Sequence, residues 1–463
     1  MTARGVAGLV VAVSIAGCVR GPNYQRPVVE TPAAFRGGES EPAVSLAETS
    51  WPDLFDDPLL TRLGSRALEA NHDLRIAAER VLQARERYGI AGSELFPTID
   101  LDAGFAAARN SRVGAFGFAP GNTDASYTQA GFRLGWEVDV WGRLRSLEES
   151  ALAAYIPTEE AGRGVRTTLL ADIASAYLTL RALDRELEIA VETRDAAEGS
   201  LRLTELRKEL GVGTTLDVRQ AEQFYRSAMA RIAASEREIA LAENALNVLV
   251  GDMPGAVERG QSISELTGPL EVPAGLPSAL LARRPDIREA EQSLIAANAD
   301  IGVARAQLFP LISLTGFMGA QTTALTDLLT GQARQASMNP LASLPIFNRG
   351  RLRSQVRLSE ANEREAVARY EQTILEAFRE VADALAQHSR TREELREQGL
   401  LVQALRESRR LALLRYESGV DNFLQVLDAD RSLFASEMVE VRLRRNVLLS
   451  VVELYRALGG GWE

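Results

Sequence analysis

After Pro97 the chain alternates. Ile99, Leu101, Ala103, Phe105 and Ala107 fall on one side, while Thr98, Asp100, Asp102 and Gly104 fall on the other. A period of two predicts a strand with one apolar and one polar face. Phe132, Leu134, Trp136, Val138 and Val140, set against Arg133, Glu137 and Asp139, show the pattern more cleanly. A weaker pair follows in Ile312, Leu314, Gly316 and Met318, then in Ala342, Leu344 and Ile346 after a turn rich in glycine, asparagine and glutamine. The expected strands are therefore 98–108, 128–140, 311–320 and 339–347. In a soluble sandwich the apolar side faces a core; in a membrane barrel it faces lipid. The smallest bacterial barrels use about eight strands. Transmembrane strands in this number would have to be shared, eight from two copies or twelve from three.

The rest of the pattern is helical. No proline occurs between Pro157 and Pro254 or after Pro345, and alanine, leucine, arginine and glutamate fill both intervals. All four are strong helix formers. Ile173, Ala176, Leu180, Leu183, Leu187 and Ala190 step by three and four, as in a coiled-coil seam. Phe378, Val381, Leu385, His388, Arg392 and Leu395 repeat the step with polar interruptions. A helix from Gly142 to about Leu210 would run on the order of 100 Å, too long for a compact enzyme core. Each long helix stops at a break, 211–217 in one case and 418–428 in the other, and a second helix follows. Glycine permits the left-handed turn there, and Thr or Asp can cap the second helix.

These elements are written twice. Asp73, Arg75, Ala84 and Gly89 recur as Asp286, Arg288, Ala297 and Gly302, and Leu95-Phe96-Pro97 recurs as Leu308-Phe309-Pro310. Pro97 and Pro310 mark the helix-to-strand junctions, because proline cannot continue a helical ladder and pushes its predecessor toward extended geometry. Gly142-Arg-Leu-Arg-Ser146 recurs as Gly350-Arg-Leu-Arg-Ser354, at a spacing five residues shorter. At that same spacing Gly211 matches Gly419, Leu216 matches Leu424 and Gly251 matches Gly459. The resulting fold class is mostly α with a small β part, a duplicated helix–strand–strand–helix repeat. Residues 59–254 form the first repeat and 285–463 the second, joined by a segment at 255–284 that should pack beside a proline-rich wrapping stretch within 18–58.

Composition narrows the chemistry. A net charge of −11 argues against a nucleic-acid partner. Cys18 is the only cysteine, and His72 and His388 lack ligand-like spacing, so no metal or cofactor is expected. No phosphate loop or hydrolase serine motif occurs. Asp428 and Asp430 could suggest a glycosidase pair, but on a helix they fall on different faces.

The N-terminus carries Arg4, an apolar core from Val6 to Ile15, and Ala16-Gly17 before Cys18. That order resembles a bacterial lipoprotein signal at 1–17 with Cys18 lipidated; an ordinary signal peptide is the alternative. Cys18-Val-Arg-Gly-Pro-Asn-Tyr-Gln-Arg-Pro27 is similar to the start of lipidated outer-membrane efflux proteins. Val19 is not the aspartate that retains lipoproteins in the inner membrane, so the outer membrane is implied.

With both Leu-Phe-Pro junctions, Gly419-Val-Asp-Asn-Phe-Leu-Gln-Val-Leu-Asp-Ala429 and the ending Tyr455-Arg-Ala-Leu-Gly-Gly-Gly-Trp462, the chain resembles the TolC-like outer-membrane factors. The resemblance is to the lipidated kind that serves RND-type tripartite pumps. It implies a homotrimer with a twelve-stranded outer-membrane barrel above a periplasmic α-helical barrel. It also implies an exit duct joined to an inner-membrane transporter through a periplasmic adaptor, with no enzyme activity. An outer-membrane duct for type I secretion and a lipid-anchored coiled-coil scaffold without a pore are the alternatives. The resemblance places adaptor docking at the tips, around Gly211, Gly213, Thr214, Gly419 and Asn422, and a periplasmic gate at Asp428, Tyr416 and Asp217. Gln425 stands where some relatives are acidic, and Asp421 where some carry an arginine that supports a Tyr–Asp latch.

Overall fold

A computed structural model describes residues 21–32, 34–36, 45–109, 124–266 and 277–460. Cys18, the signal segment before it and Trp462 lie outside the described residues. The main elements in order are α1 (Pro58–Ala70), α2 (His72–Ser93), β1 (Thr98–Arg109), β2 (Asp124–Glu137), α3 (Arg143–Glu209), α4 (Thr215–Val250), α5 (Pro277–Arg283), α6 (Pro285–Ala306), β3 (Leu311–Thr322), β4 (Arg334–Ser343), α7 (Arg351–Glu417) and α8 (Phe423–Ala457). The two long helices α3 and α7 have the same length, 67 residues. Pro157 lies inside α3, where it removes one ladder bond.

Compactness does not follow the repeat boundary. One unit takes the chain up to Val28 with Arg80–Thr158 and Glu289–Tyr370; the other takes Val29–Glu79, Glu159–Arg288 and Glu371 onward. Each therefore draws on both repeats.

The first unit holds the sheet, antiparallel in the order β1-β2-β3-β4. The chain passes from helix to sheet in the same way in each repeat. Phe96 N–H donates to the Ser93 carbonyl, and Phe309 N–H to that of Ala306, each at 3.1 Å. The helix tightens into a last short turn, and proline ends it. Register aligns the faces across all four strands: Leu101 pairs with Phe132, Phe132 with Met318, and Met318 with Ala336. The polar face carries the Arg133–Asp102 ion pair. It also carries Phe317, for which Gly131 and Gly319 make room: a Cβ on Gly131 would lie 2.8 Å from that ring.

Strand ends differ from expectation, most of all at β2, which starts at Asp124 instead of 128, and at β4. β2 stops at Glu137 instead of 140, although the alternation continues. Asp139 turns away to accept from the Leu144 and Arg145 amides, capping α3, and Gly142 adopts a φ of 76°. Trp141 then stacks on Phe309 at 5.0 Å and donates to the Pro310 carbonyl at 2.8 Å. β4 runs from 334 to 343 instead of 339–347. Pro340 sits within it, as an edge strand allows, and Pro345 lies beyond its end.

The second unit holds the helical hairpins from Glu159 and Glu371 onward. Asp57 caps α1 through the Leu59 and Leu60 amides and accepts from Tyr177 Oη at 2.6 Å on α3. Burial and the neighbouring carboxylate push the Tyr177 phenol above its ordinary range. Gln261 donates to the Asp56 carbonyl, so the connecting segment does lie against the N-terminal stretch. The buried stripe of α3 is wider than the expected seam. Ile173, Leu180 and Ala190 are buried as expected, but Tyr177, Leu178 and Ile189 are buried too, while Ala176, Leu183 and Leu187 are half-buried. On α7 the seam keeps Val381, Leu385 and His388, then takes Thr391 in place of the exposed Arg392. His388 is a core residue: its Nδ1 lies 2.9 Å from Ser450 Oγ, and burial lowers its pKa.

Candidate functional site

Two surfaces carry the candidate chemistry, and the sheet is the first. Ile99, Leu101, Phe105, Phe132, Met318 and Met338 all share its apolar face, and all are exposed. A contiguous apolar face of this size in water would be an aggregation hazard, whereas lipid satisfies it. None of the described helices is long and apolar enough to cross a membrane. β1 and β4 each present an edge unpaired within the chain.

The second surface is the pair of hairpin tips. Gly211 and Gly419 both adopt a φ of 75°. Behind each, the following valine reaches back along the helix: Val212 N–H to the Arg207 carbonyl, and Val420 N–H to that of Arg415, both at 2.9 Å. This is a Schellman closure, which satisfies carbonyls that a helix end otherwise strands. It leaves Val212, Leu216, Val420 and Leu424 exposed, at equivalent positions of the two repeats. Thr214 and Asp217 then form a reciprocal capping box that starts α4. Asn422 occupies the matching position before α8 without a side-chain cap bond.

The tips are packed on one another through Ala197, Ala221, Phe224, Tyr416, Phe423 and Val426. Tyr416 and Phe423 meet edge to face at 5.4 Å. The Arg207 guanidinium lies 4.6 Å over the Tyr416 ring and donates to the Tyr416 carbonyl at 3.2 Å. Burial raises the Tyr416 phenol, Arg207 opposes the shift, and Asp217 is near enough to add to it.

The expected Tyr416–Asp217 hydrogen bond is not made. Tyr416 Oη is buried with no hydrogen-bond partner among the described residues. The Asp217 carboxylate is already taken by the Thr214 amide at 3.0 Å and hydroxyl at 2.8 Å. Asp421, at the position of the supporting arginine, pairs with Arg415 at 2.6 Å, which holds its carboxyl below the usual range. The guanidinium at Tyr416 comes from Arg207 instead. Sequence reasoning missed it, although Arg207 and Arg415 are equivalent residues of the two repeats.

Asp428 is exposed. Asp430, two residues on, is buried against Arg409 at 2.6 Å and has its pKa raised by that burial. The two carboxylates therefore point apart and form no acid–base pair. No group of three or more His, Cys, Asp or Glu able to hold a metal occurs among the described residues.

The family model for outer membrane efflux proteins matches residues 63–252 and 276–460, once for each repeat. The solvent efflux pump outer membrane protein SrpC of Pseudomonas putida is 39% identical over 97% of this chain and 96% of its own. The outer membrane protein OprJ of Pseudomonas aeruginosa is 37% identical over 100% of this chain and 96% of its own. The solved outer-membrane channel OprN superposes with a TM-score of 0.86 at 31% identity, covering 96% of this chain and 100% of that one. An exposed apolar sheet, paired helical tips and full-length likeness agree: the chain belongs to the outer membrane efflux protein family and is the outer-membrane exit channel of an efflux pump.

Proposed function

We propose that three copies assemble into a twelve-stranded barrel, and that the tips dock on a periplasmic adaptor fed by an inner-membrane transporter of the RND class. The observation that carries the docking reading is the repeated exposure of Val212 with Leu216 and of Val420 with Leu424. Apolar residues held out by a rigid Schellman turn are costly in water and useful against a partner. Being repeated, they offer an adaptor six near-equivalent sites per trimer. Asp428 is the gate residue in this reading. Three exposed carboxylates brought to an axis attract cations. Tyr416 closes the tip by packing with Phe423 under Arg207, while Asp217 acts through its cap. Cys18 carries lipid that tethers the chain to the outer membrane, so palmitate should label the native chain and not Cys18→Ser.

Cysteines at Thr214 or Asn422 should crosslink to the adaptor in intact cells, and cysteines at exposed mid-helix positions such as Glu394 should not. Equal yields from both sets would remove docking from the tips. The likeness to SrpC, a solvent efflux pump protein, suggests small hydrophobic solutes for this chain as well.

A further inference from the structure

We infer the register of the seam between copies, and with it a clasp formed by Arg349 of one copy and Phe96 of the next. This rests on the proposed shared barrel and adds to it which residues face each other. Within the repeat, position 97 corresponds to 310, and 142 to 350. Carried through these two correspondences, the β1–β2 pair Thr98↔Gly135 becomes Leu311↔Ser343, which is a pair observed between β3 and β4. The repeat thus transmits register without error inside the chain.

The same operation on the β2–β3 contact generates one pairing that the chain cannot make with itself. Gly135↔Thr315 becomes Ser343↔Asp102, Trp136↔Leu314 becomes Leu344↔Leu101, and Leu134↔Gly316 becomes Ala342↔Ala103. These are contacts of β4 with the free edge of β1 in another copy. Side-chain face and hydrogen-bonding phase, which alternate together along a strand, both agree with this register. It sets the apolar residues of both strands on the same face, whereas a slip by one residue would turn the whole row over. The hydrogen-bonding phase also fits. Val138 N–H donates to the Ile312 carbonyl at 2.9 Å, so the even positions of β2 bond to β3. The alternation of an antiparallel ladder then leaves the even positions of β4 and the odd positions of β1 pointing outward. The inferred register brings those two sets together. Pro340 falls on an outward position of β4, opposite Phe105 in the inferred register, so the ladder within the chain is kept and the seam lacks one amide donor there.

Below the strands the same correspondence pairs side chains. Trp141 stacks on Phe309 and donates to the Pro310 carbonyl. The repeat turns Trp141 into Arg349, Phe309 into Phe96 and Pro310 into Pro97. Phe96 is 69% exposed, and Ile346 and Phe347 beside Arg349 are 93% and 89% exposed. Arg349 departs from Trp141 in its backbone, with a φ of 51°, the one positive-φ residue other than glycine among those described. A guanidinium over the Phe96 ring, donating to the Pro97 carbonyl, replaces the stacked indole.

The test is disulfide crosslinking of the full-length protein in its membrane. Leu341 and Gly104 face each other in the inferred register at a non-hydrogen-bonded pair, where side chains lie closest. A Cβ on Gly104 meets nothing within 4 Å. Leu341→Cys with Gly104→Cys should give an oxidant-dependent ladder of two and three chains on a non-reducing gel. Leu341→Cys with Asp102→Cys, or with Ala106→Cys, should give less than a tenth as much. A stronger ladder from either shifted pair would overturn the register and leave the shared barrel standing. No ladder from any pair would overturn both. Arg349→Ala should lower the temperature at which the detergent-resistant oligomer falls apart, and Arg349→Trp should keep it near the native value. Equal lowering by both would remove the clasp.

Discussion

Phe423→Ala should loosen the hairpin tip by about 3–5 kcal/mol, the usual cost of deleting a buried phenylalanine side chain. Phe423 is among the largest fully buried side chains and starts α8, with Tyr416 edge-on beside it and Phe224 in the same cluster. Removing the ring takes away the surface on which Tyr416 rests and weakens the seat beneath Arg207. Amide exchange in 412–428 should rise well above that of the mid-helix segments, and resting conductance in a planar bilayer should rise with it. Tyr416→Phe should change neither, because the hydroxyl makes no hydrogen bond among the described residues. Equal effects from the two substitutions would show that the hydroxyl, and not the packing, holds the tip.

Arg409→Ala is the second large effect, about 3 kcal/mol or more. Removing the half-buried guanidinium leaves a buried carboxylate uncompensated. Asp430 is 5% exposed and forms its ion pair with Arg409. The sign with pH follows from the raised Asp430 pKa. A carboxyl whose folded pKa lies above its unfolded value favours folding fully below the unfolded value, and that contribution is lost as pH rises through the folded one. Without Arg409 the shift grows, so the variant should regain stability relative to the native chain as pH falls toward the ordinary carboxylate range. Asp430→Asn in the same background should abolish that pH dependence. Thermal unfolding at several pH values decides it, and a deficit independent of pH would assign the loss to packing.

The repeat, the strands' faces and the long hairpins were legible because each rests on a periodic pattern or on a glycine or proline that forces geometry. Strand ends were less so. Val138 and Val140 continue the alternation of β2, yet Asp139 and Gly142 have already turned the chain into α3. Apolar spacing cannot register a competing helix cap. The helix seam shifted from Arg392 to Thr391 for a related reason: a one-residue phase drift along a long helix is invisible until the partner helix is in place. At the tips, the turns at Gly211 and Gly419 and the cap at Thr214 follow from turn chemistry, whereas Asn422 makes no side-chain cap bond. The Arg207–Tyr416–Phe423 arrangement could not, since it joins residues from opposite repeats. Asp217 illustrates the limit of resemblance. Its residue type suits a latch, but Thr214 three residues earlier captures it locally.

The chain is the exit channel of an efflux pump, and we propose that it is gated at its periplasmic tips. Single-channel recording of the purified full-length protein in a planar bilayer, with a multivalent cation added from the tip side, decides both points. The native chain should show unitary steps that the cation blocks, and Asp428→Ala should weaken the block at least tenfold while keeping the steps. Absence of unitary steps from correctly folded native protein would contradict the first, and an unchanged block in Asp428→Ala the second.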